Sequence, residues 1–278
     1  MERGLYIVPT PIGNLGDMTQ RALDILEQAN VIAAEDTRHS KKLLAHYGIK
    51  TALTAYHERA DPSVTQRLLA RMEAGDAIAR ISDAGTPLVS DPGFRLVRAT
   101  QDAGIPAVPL PGPCSAVTAL SAAGLPSDRF FFEGFLPAKS AARRSRLRAL
   151  LAQQGTLIVY EAPHRIVATL EDAVDVLGAD REAAVARELS KAFETVRRGM
   201  LGDLLAWVAE DRDQQRGELV LLIGPPPEAA AFEALAERDQ RLLHRLAQEL
   251  PPRRAAAIVA DHTGHRARDL YGLLIAGE

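Results

Sequence analysis

Short apolar runs alternate with amphipathic stretches from the start of the chain. Leu5 to Val8 predicts a strand and Thr19 to Ala29 a helix. Val31 to Ala34 predicts the next strand, followed by a helix through Lys41 and Leu44. Thr51 to Tyr56 is a weaker strand. Asp61-Pro62 then supplies an N-cap with proline at the first helical position, and the following helix puts Val64, Leu68, Leu69 and Met72 on one face. Ala77 to Ile81, Pro92 to Ala103, Ala107 to Leu110 and Pro113 to Ala123 continue as strand, helix, strand and helix. Alternation of this kind means βα units and a mostly parallel sheet.

A second block follows the turn at Leu125-Pro126-Ser127. Strands are predicted at Phe130 to Phe135, Thr156 to Tyr160, Ala183 to Arg187 and Glu218 to Ile223. A helix after the second of these carries Ile166, Leu170, Ala173, Val174 and Leu177 on one face. Gly224-Pro225-Pro226-Pro227 breaks the chain, and the Ala/Glu stretch after it reads as a linker. Beyond it come a short helix, a turn at Thr263-Gly264 and another helix. The expected units are an N-terminal α/β domain (1–118), a C-terminal α/β domain (119–227) and a linker with a helical, helix-turn-helix-like tail (228–278).

Composition narrows the function. The 278 residues give a prior of two domains. Lys plus Arg is 33 against 36 Asp plus Glu, a net charge of −3, which excludes nucleic-acid binding through bulk charge and leaves room for a local basic patch. Cys114 is the single cysteine, so an intramolecular disulfide and a CxxC metal site are excluded and a reducing compartment is expected. No signal-peptide-like start or membrane-length apolar run is present, so a cytoplasmic protein is expected.

The ends of the predicted strands carry the candidate chemistry. Ligands of open α/β sheets bind beyond the carboxyl ends of the strands. Those ends hold PTPIGNLGD (9–17), EDTR (35–38), SDAGTPLVSDPG (82–93) and PGPCSA (111–116), with YEAPHR (160–165) and RELSKAFE (187–194) in the second block. Gly13 and Gly16 give only G-x-x-G, and a G-K-[ST] loop is absent, so neither common phosphate cradle is present. Asp83 and Asp91 beside Gly85 and Gly93 suit a zwitterionic or polyhydroxyl ligand, or else cap two successive turns. Cys114 is expected to pack rather than react, because no partnered histidine is near it in sequence. His262 and His265 are expected in a surface turn, and no metal site is expected. Lys139, Arg143, Arg144, Arg146 and Arg148 crowd a stretch without acidic residues, forming either a solvated helix face or a phosphate contact.

Together with FEGFLPAKS (132–140), these segments resemble the bacterial 16S ribosomal RNA cytidine 2′-O-methyltransferases, a branch of the tetrapyrrole methylase superfamily. The resemblance runs from about Leu5 to Ile223. It implies a two-domain tetrapyrrole-methylase fold with S-adenosylmethionine in the cleft between the domains, usually a homodimer. The substrate implied is a cytidine ribose in the decoding region of 16S rRNA within the small ribosomal subunit. Carried over by motif, the cofactor contacts are Pro11, Ile12, Gly13, Asp83, Ala84, Gly85, Thr86 and Val89, then Gly112, Pro113, Cys114, Ser115, Ala116 and Tyr160. The opening PTPIGNLGD departs from the G-x-G-P-G-D loop of the wider superfamily, which favours the RNA branch. The candidates for the base that takes the hydroxyl proton are Glu35, Asp36, Glu161, His164 and Lys191, with Asp36 and Lys191 ranked first. Arg38, Arg165 and the 139–148 cluster are the expected phosphate contacts. The basic tail either docks on RNA or caps the core. Two competing readings are a small-molecule methylase on the same fold and a non-catalytic RNA-binding protein.

Overall fold

The computed structural model describes residues 1–57, 62–91, 93–226 and 237–276. Asp61, Pro92, the 227/228 boundary and the Ala/Glu stretch at 228–236 lie outside the described residues.

The first sheet contains β1 (Gly4–Ile7), β2 (Val31–Ala34), β3 (Leu53–Ala55), β4 (Ala77–Ile81) and β5 (Ala107–Pro109) in the order β3-β2-β4-β1-β5. Every neighbouring pair is parallel. The cause is visible in β2 and β4, VIAA and AIARI, which are buried along their whole length. Strands covered by helices on both faces read as continuous apolar runs. The helices are α1 (Gln20–Gln28), α2 (Thr37–His46), α3 (Pro62–Glu73) and α4 (Phe94–Asp102). One side of the sheet packs Leu26, Ile32 and Ile81 together, the other Leu5, Ile78, Met72 and Leu96.

The second sheet contains β6 (Phe130–Phe135), β7 (Thr156–Glu161), β8 (Glu182–Arg187), β9 (Thr195–Met200) and β10 (Leu219–Ile223) in the order β6-β7-β10-β8-β9. Only β6 and β7 pair in parallel; the remaining pairs are antiparallel. The mostly parallel expectation for the first half therefore holds, while the second sheet is mostly antiparallel. β8 returns through residues 188–194 straight into β9, and a parallel crossover would need a longer connection. β9 and the helix α8 (Leu201–Glu210) had no counterpart in the sequence reading, because TVRRGM is a partly exposed strand without an apolar run. Helices α6 (Ser140–Ala149), α7 (Ile166–Leu177) and α8 cover one face around Leu147, Ile166, Leu170 and Leu204.

The other face is covered by α5 (Ser115–Ala122), which follows the last strand of the first sheet. Its Ala116, Ala119 and Leu120 pack with Ile158, Ala184 and Leu222 of the second sheet. A boundary at 118/119 falls inside this helix. The alanine-rich face allows close approach, and α5 thereby fastens the two halves and sets the loop before it beside β7.

The tail contains α9 (Glu237–Glu249), α10 (Pro252–Thr263) and α11 (Ala267–Ala276), three helices where two were expected. Leu243, Ala256, Val259 and Leu270 form a small core of their own. Gly264 ends α10 in the left-handed conformation at φ 75°, placing the turn at Thr263-Gly264 as its sequence predicts.

Candidate active site

Three loops of the first half are tied into one wall. Thr10 and Gly85 exchange backbone hydrogen bonds of 2.9 and 3.0 Å, joining the loops after β1 and β4. The Thr86 hydroxyl donates to the Pro113 carbonyl at 2.8 Å and brings in the loop after β5. Gly85 has φ 77°, and a Cβ there would lie 3.2 Å from the Ile12 side chain, so glycine serves both the turn and the close approach. Facing this wall across a cavity of about 330 Å³ are the ends of β6, β7 and β10. That size falls in the range of small-molecule sites.

Of the residues expected to hold a cofactor, Ile12, Ala84, Gly85, Thr86 and Val89 line the cavity, together with Cys114, Ser115 and Tyr160. Pro11, Gly13, Asp83, Gly112, Pro113 and Ala116 do not line it. Five of these have a visible supporting role, Pro113 through the carbonyl that Thr86 bonds to. Gly13 is covered by the Lys191 side chain, which a Cβ would strike. Gly112 lies against Pro9, whose Cβ would be 2.6 Å from a side chain there. The Asp83 carboxylate accepts from the Asp36 backbone N–H at 3.1 Å, and Ala116 belongs to the core under α5.

Asp91, read in the sequence as a carboxylate suited to a zwitterionic ligand, also lines the cavity, and further lining residues went unnoticed: Ser90, Phe135, Leu189 and the run from Gly217 to Val220. The run from Gly217 sits at the beginning of β10. Because β10 is antiparallel to β7 and pairs Val220 with Tyr160, its amino end meets the site. The carboxyl-end rule for parallel strands looks away from it. Phe135 and Leu189 sit within the FEGFLP and RELSK segments, which were the available signal. The Phe135 ring meets Tyr160 edge-on at 5.7 Å.

Backbone strain gathers at the same place. The described non-glycine residues with positive φ are Leu88, Ser90, Glu188 and Ser190, two in each of the loops 82–93 and 188–194. Such conformations cost on the order of 1–3 kcal/mol each and persist where surroundings over-determine them.

No Lys or Arg is among the described residues that line the cavity, whereas Asp91, Glu161 and Glu218 do. A polyphosphate would find no counter-charge. Apolar walls from Ile12, Val89, Leu189 and Val220 with carboxylates at the rim instead fit an aromatic nucleoside bearing a positive charge. Burial pushes the Tyr160 hydroxyl up, against a hydrogen bond of 2.7 Å donated by Ser115.

Residues 4–205 match the family model of tetrapyrrole (corrin/porphyrin) methylases. The chain belongs to this family. Residues 233–277 match the model described as the RsmI C-terminal HTH domain. A relative from Escherichia coli O157:H7, "Ribosomal RNA small subunit methyltransferase I", is 52% identical over 96% of this chain and 93% of its own length. The protein of the same description from Pseudomonas aeruginosa is also 52% identical, over 96% and 95%. Among solved structures, uroporphyrin-III-C-methyltransferase from Thermus thermophilus superposes with a TM-score of 0.55 at 26% identity, covering 79% of this chain and 93% of that one.

In this methylase the residues ranked first as bases are committed elsewhere. Asp36 caps α2, accepting from the backbone N–H groups of Arg38 at 2.7 Å and His39 at 3.4 Å. The first of those bonds leads in holding its carboxyl below the usual range, which makes it a weak base. Burial pulls the Lys191 ammonium down, but Glu188 at 2.8 Å and Glu218 at 3.2 Å outweigh it and the net shift is upward. Lys191 is thus held charged, clamping the loop under Gly13. Glu161 is buried and saturated, accepting from Ala162 N–H at 2.8 Å and the Thr169 hydroxyl at 2.6 Å while paired to Arg165 at 3.0 Å. His164 is exposed and, like Glu35, does not line the cavity.

The basic cluster is mostly internal wiring. Arg143 is 3% exposed and meets Asp172 of α7 at 2.6 Å, so it does not offer its charge to a phosphate. Arg144 pairs with Asp175, and Arg146 forms a two-pronged pair with Glu133 at 2.6 and 2.7 Å. Arg165 donates to the Leu136 carbonyl at 2.7 Å and fixes the GFLP turn. Of the expected phosphate contacts, Arg38, Lys139 and Arg148 are exposed, as is Arg146 within its pair to Glu133.

Proposed function

We propose that the chain transfers a methyl group from S-adenosylmethionine to the 2′-hydroxyl of a cytidine in the decoding region of 16S rRNA within the small ribosomal subunit. The observation that carries this reading is the cavity between the two sheets, apolar, rimmed by carboxylates and with no Lys or Arg among its described lining residues. Support for the RNA substrate comes from relatives about half identical over nearly the whole chain, whose descriptions name small-subunit ribosomal RNA. When bound, the sulfonium supplies an electrophilic methyl group.

The chain's own residues do the rest. Ile12, Val89 and Leu189 exclude water from one side, and Gly85 lets backbone approach the ligand. The carboxylates of Asp91 and Glu218 favour a positive centre. Acceleration rests on holding two reactants in line in a dry cleft. Arg38, Lys139 and Arg148 serve as phosphate contacts. The same reading includes a cytoplasmic homodimer. No described helix is long and apolar enough to cross a membrane.

The test is methyl transfer from labelled S-adenosylmethionine to small ribosomal subunits that lack the modification, followed by nuclease digestion. Label in 2′-O-methylcytidine is expected. Label only in a porphyrinoid offered in parallel would overturn the reading.

A further inference from the structure

A second cavity, of about 520 Å³, opens beside the first and shares one residue with it, Asp91. Its walls come from the end of β3 and from α3 and α4. Phe94 stands 65% exposed at the start of α4, an unusual placement for a phenyl ring on a helix that buries Leu96. Thr65 and Gln66 face it from α3, and Tyr56 holds the Thr65 hydroxyl at 3.0 Å. Arg95 is the only Lys or Arg among the described residues that line it.

We propose that this second cavity seats the acceptor nucleotide of a single-stranded RNA, with Phe94 stacking on the base, Arg95 meeting a phosphate, and the Asp91 carboxylate taking the proton of the ribose hydroxyl. The inference rests on the RNA methyl-transfer reading and deepens it by naming the acceptor site. A stacking face, amide and hydroxyl groups for a base edge and a single cation match how unpaired nucleotides are held. A polycarboxylate macrocycle would ask for several cations.

Asp91 is the one described residue that lines both cavities, so its carboxylate stands where a group in the second can meet a group in the first. In the reaction the ribose oxygen forms a bond to the methyl carbon as the carbon–sulfur bond breaks. The electron pair of that bond stays on sulfur, and the hydroxyl proton passes to Asp91. The carboxyl is suited to this. Burial pushes it up, while a hydrogen bond from Ser82 and the charge of Arg80 draw it down and Asp83 pushes it up again. Arg80 is fully buried in β4, donates to the Ala33 carbonyl at 3.2 Å and lies over the Tyr56 ring at 5.7 Å. Tyr160 faces Asp91 from β7, and His57 and Arg95 share the second cavity with it. Ser90, with φ 61°, immediately precedes Asp91, and Leu88, with φ 75°, lies three residues before it.

The test uses the full chain, a fluorescein-labelled single-stranded RNA oligonucleotide containing cytidine, and S-adenosylmethionine titrated separately. Phe94→Ala, at an exposed position, is expected to weaken RNA binding roughly tenfold or more and leave cofactor affinity unchanged. Arg95→Ala should flatten the salt dependence of RNA binding by about one phosphate contact. Asp91→Asn should keep RNA binding and weaken cofactor binding through the lost charge; at saturating cofactor it should lower the single-turnover rate about a hundredfold and abolish the fall in rate on acidification that the wild type shows. Wild-type RNA binding in Phe94→Ala and Arg95→Ala would overturn the cavity assignment. A wild-type rate and pH profile in Asp91→Asn would overturn its role. A wild type that binds cofactor yet neither binds RNA nor methylates ribosomal subunits would overturn the underlying reading as well.

Discussion

The loop 82–93 and the helix α6 both carry several polar side chains, and they spend them differently. In the loop, Ser82 and Thr86 bond to backbone of their own wall, which leaves Ala84, Gly85 and Asp91 facing the cavity. In α6, Arg143, Arg144 and Arg146 are each taken by a carboxylate of a neighbouring element. A run of charge in a sequence counts charges and says nothing of their partners. Asp172 stands 29 residues from Arg143, and only the packing of α7 on α6 brings them together.

The comparison breaks most severely at that buried pair. Asp172→Ala leaves a buried guanidinium without its carboxylate and should cost about 3–5 kcal/mol in denaturant unfolding. Below the unfolding transition, cofactor affinity should stay at the wild-type level. A loss under about 1 kcal/mol would mean that Arg143 can turn to solvent and rejoin the RNA-facing set.

The clamp between the halves gives a middle-sized effect with a definite pH signature. Burial raises the Glu188 carboxyl, but bonds from Lys191 and from the Glu218 backbone prevail, so its folded value lies below the unfolded one. Its contribution is present above the unfolded value and lost as pH falls through the folded one. Lys191 is shifted upward, so its contribution is present below its unfolded value and lost as pH rises through the folded one. Glu188→Gln should therefore flatten the acid arm of the stability profile, and Lys191→Met the alkaline arm, each by about 1 kcal/mol. Unchanged profiles, measured by urea titration across pH, would show that the clamp contributes nothing.

The smallest effects belong to the exposed cations. Lys139→Ala and Arg148→Ala should change stability by no more than about 0.5 kcal/mol. Each should reduce the salt slope of RNA binding by about one. Equal slopes would reduce both side chains to solvated surface.

Legibility in the sequence followed the same division. β2 stood out because a strand buried on both faces is an unbroken apolar run, β4 because only Arg80 interrupts one, and the loops beyond them because turns need Gly, Pro and Asp. β9 and the antiparallel order of the second sheet did not stand out. An edge strand such as TVRRGM carries no apolar period, and a seven-residue return at 188–194 looks like any decorated loop. Half of the cavity wall was legible for the same reason. Gly85, Cys114 and Tyr160 lie where parallel strands end, whereas Gly217 and Val220 lie where an antiparallel strand begins. The commitments of Asp36 to a helix cap and of Glu161 to Thr169 and Arg165 are tertiary facts with no local signature.

The central claim is that the cofactor occupies the cavity between the sheets. It is tested most directly by calorimetric titration of S-adenosylmethionine into the wild type, Gly85→Val and Arg148→Ala, with melting curves as the control for folding. A branched side chain at Gly85 meets Ile12 and fills the approach that the ligand needs. The account predicts one site per chain in the wild type and in Arg148→Ala, and no measurable binding to a folded Gly85→Val. Wild-type affinity in Gly85→Val would contradict it.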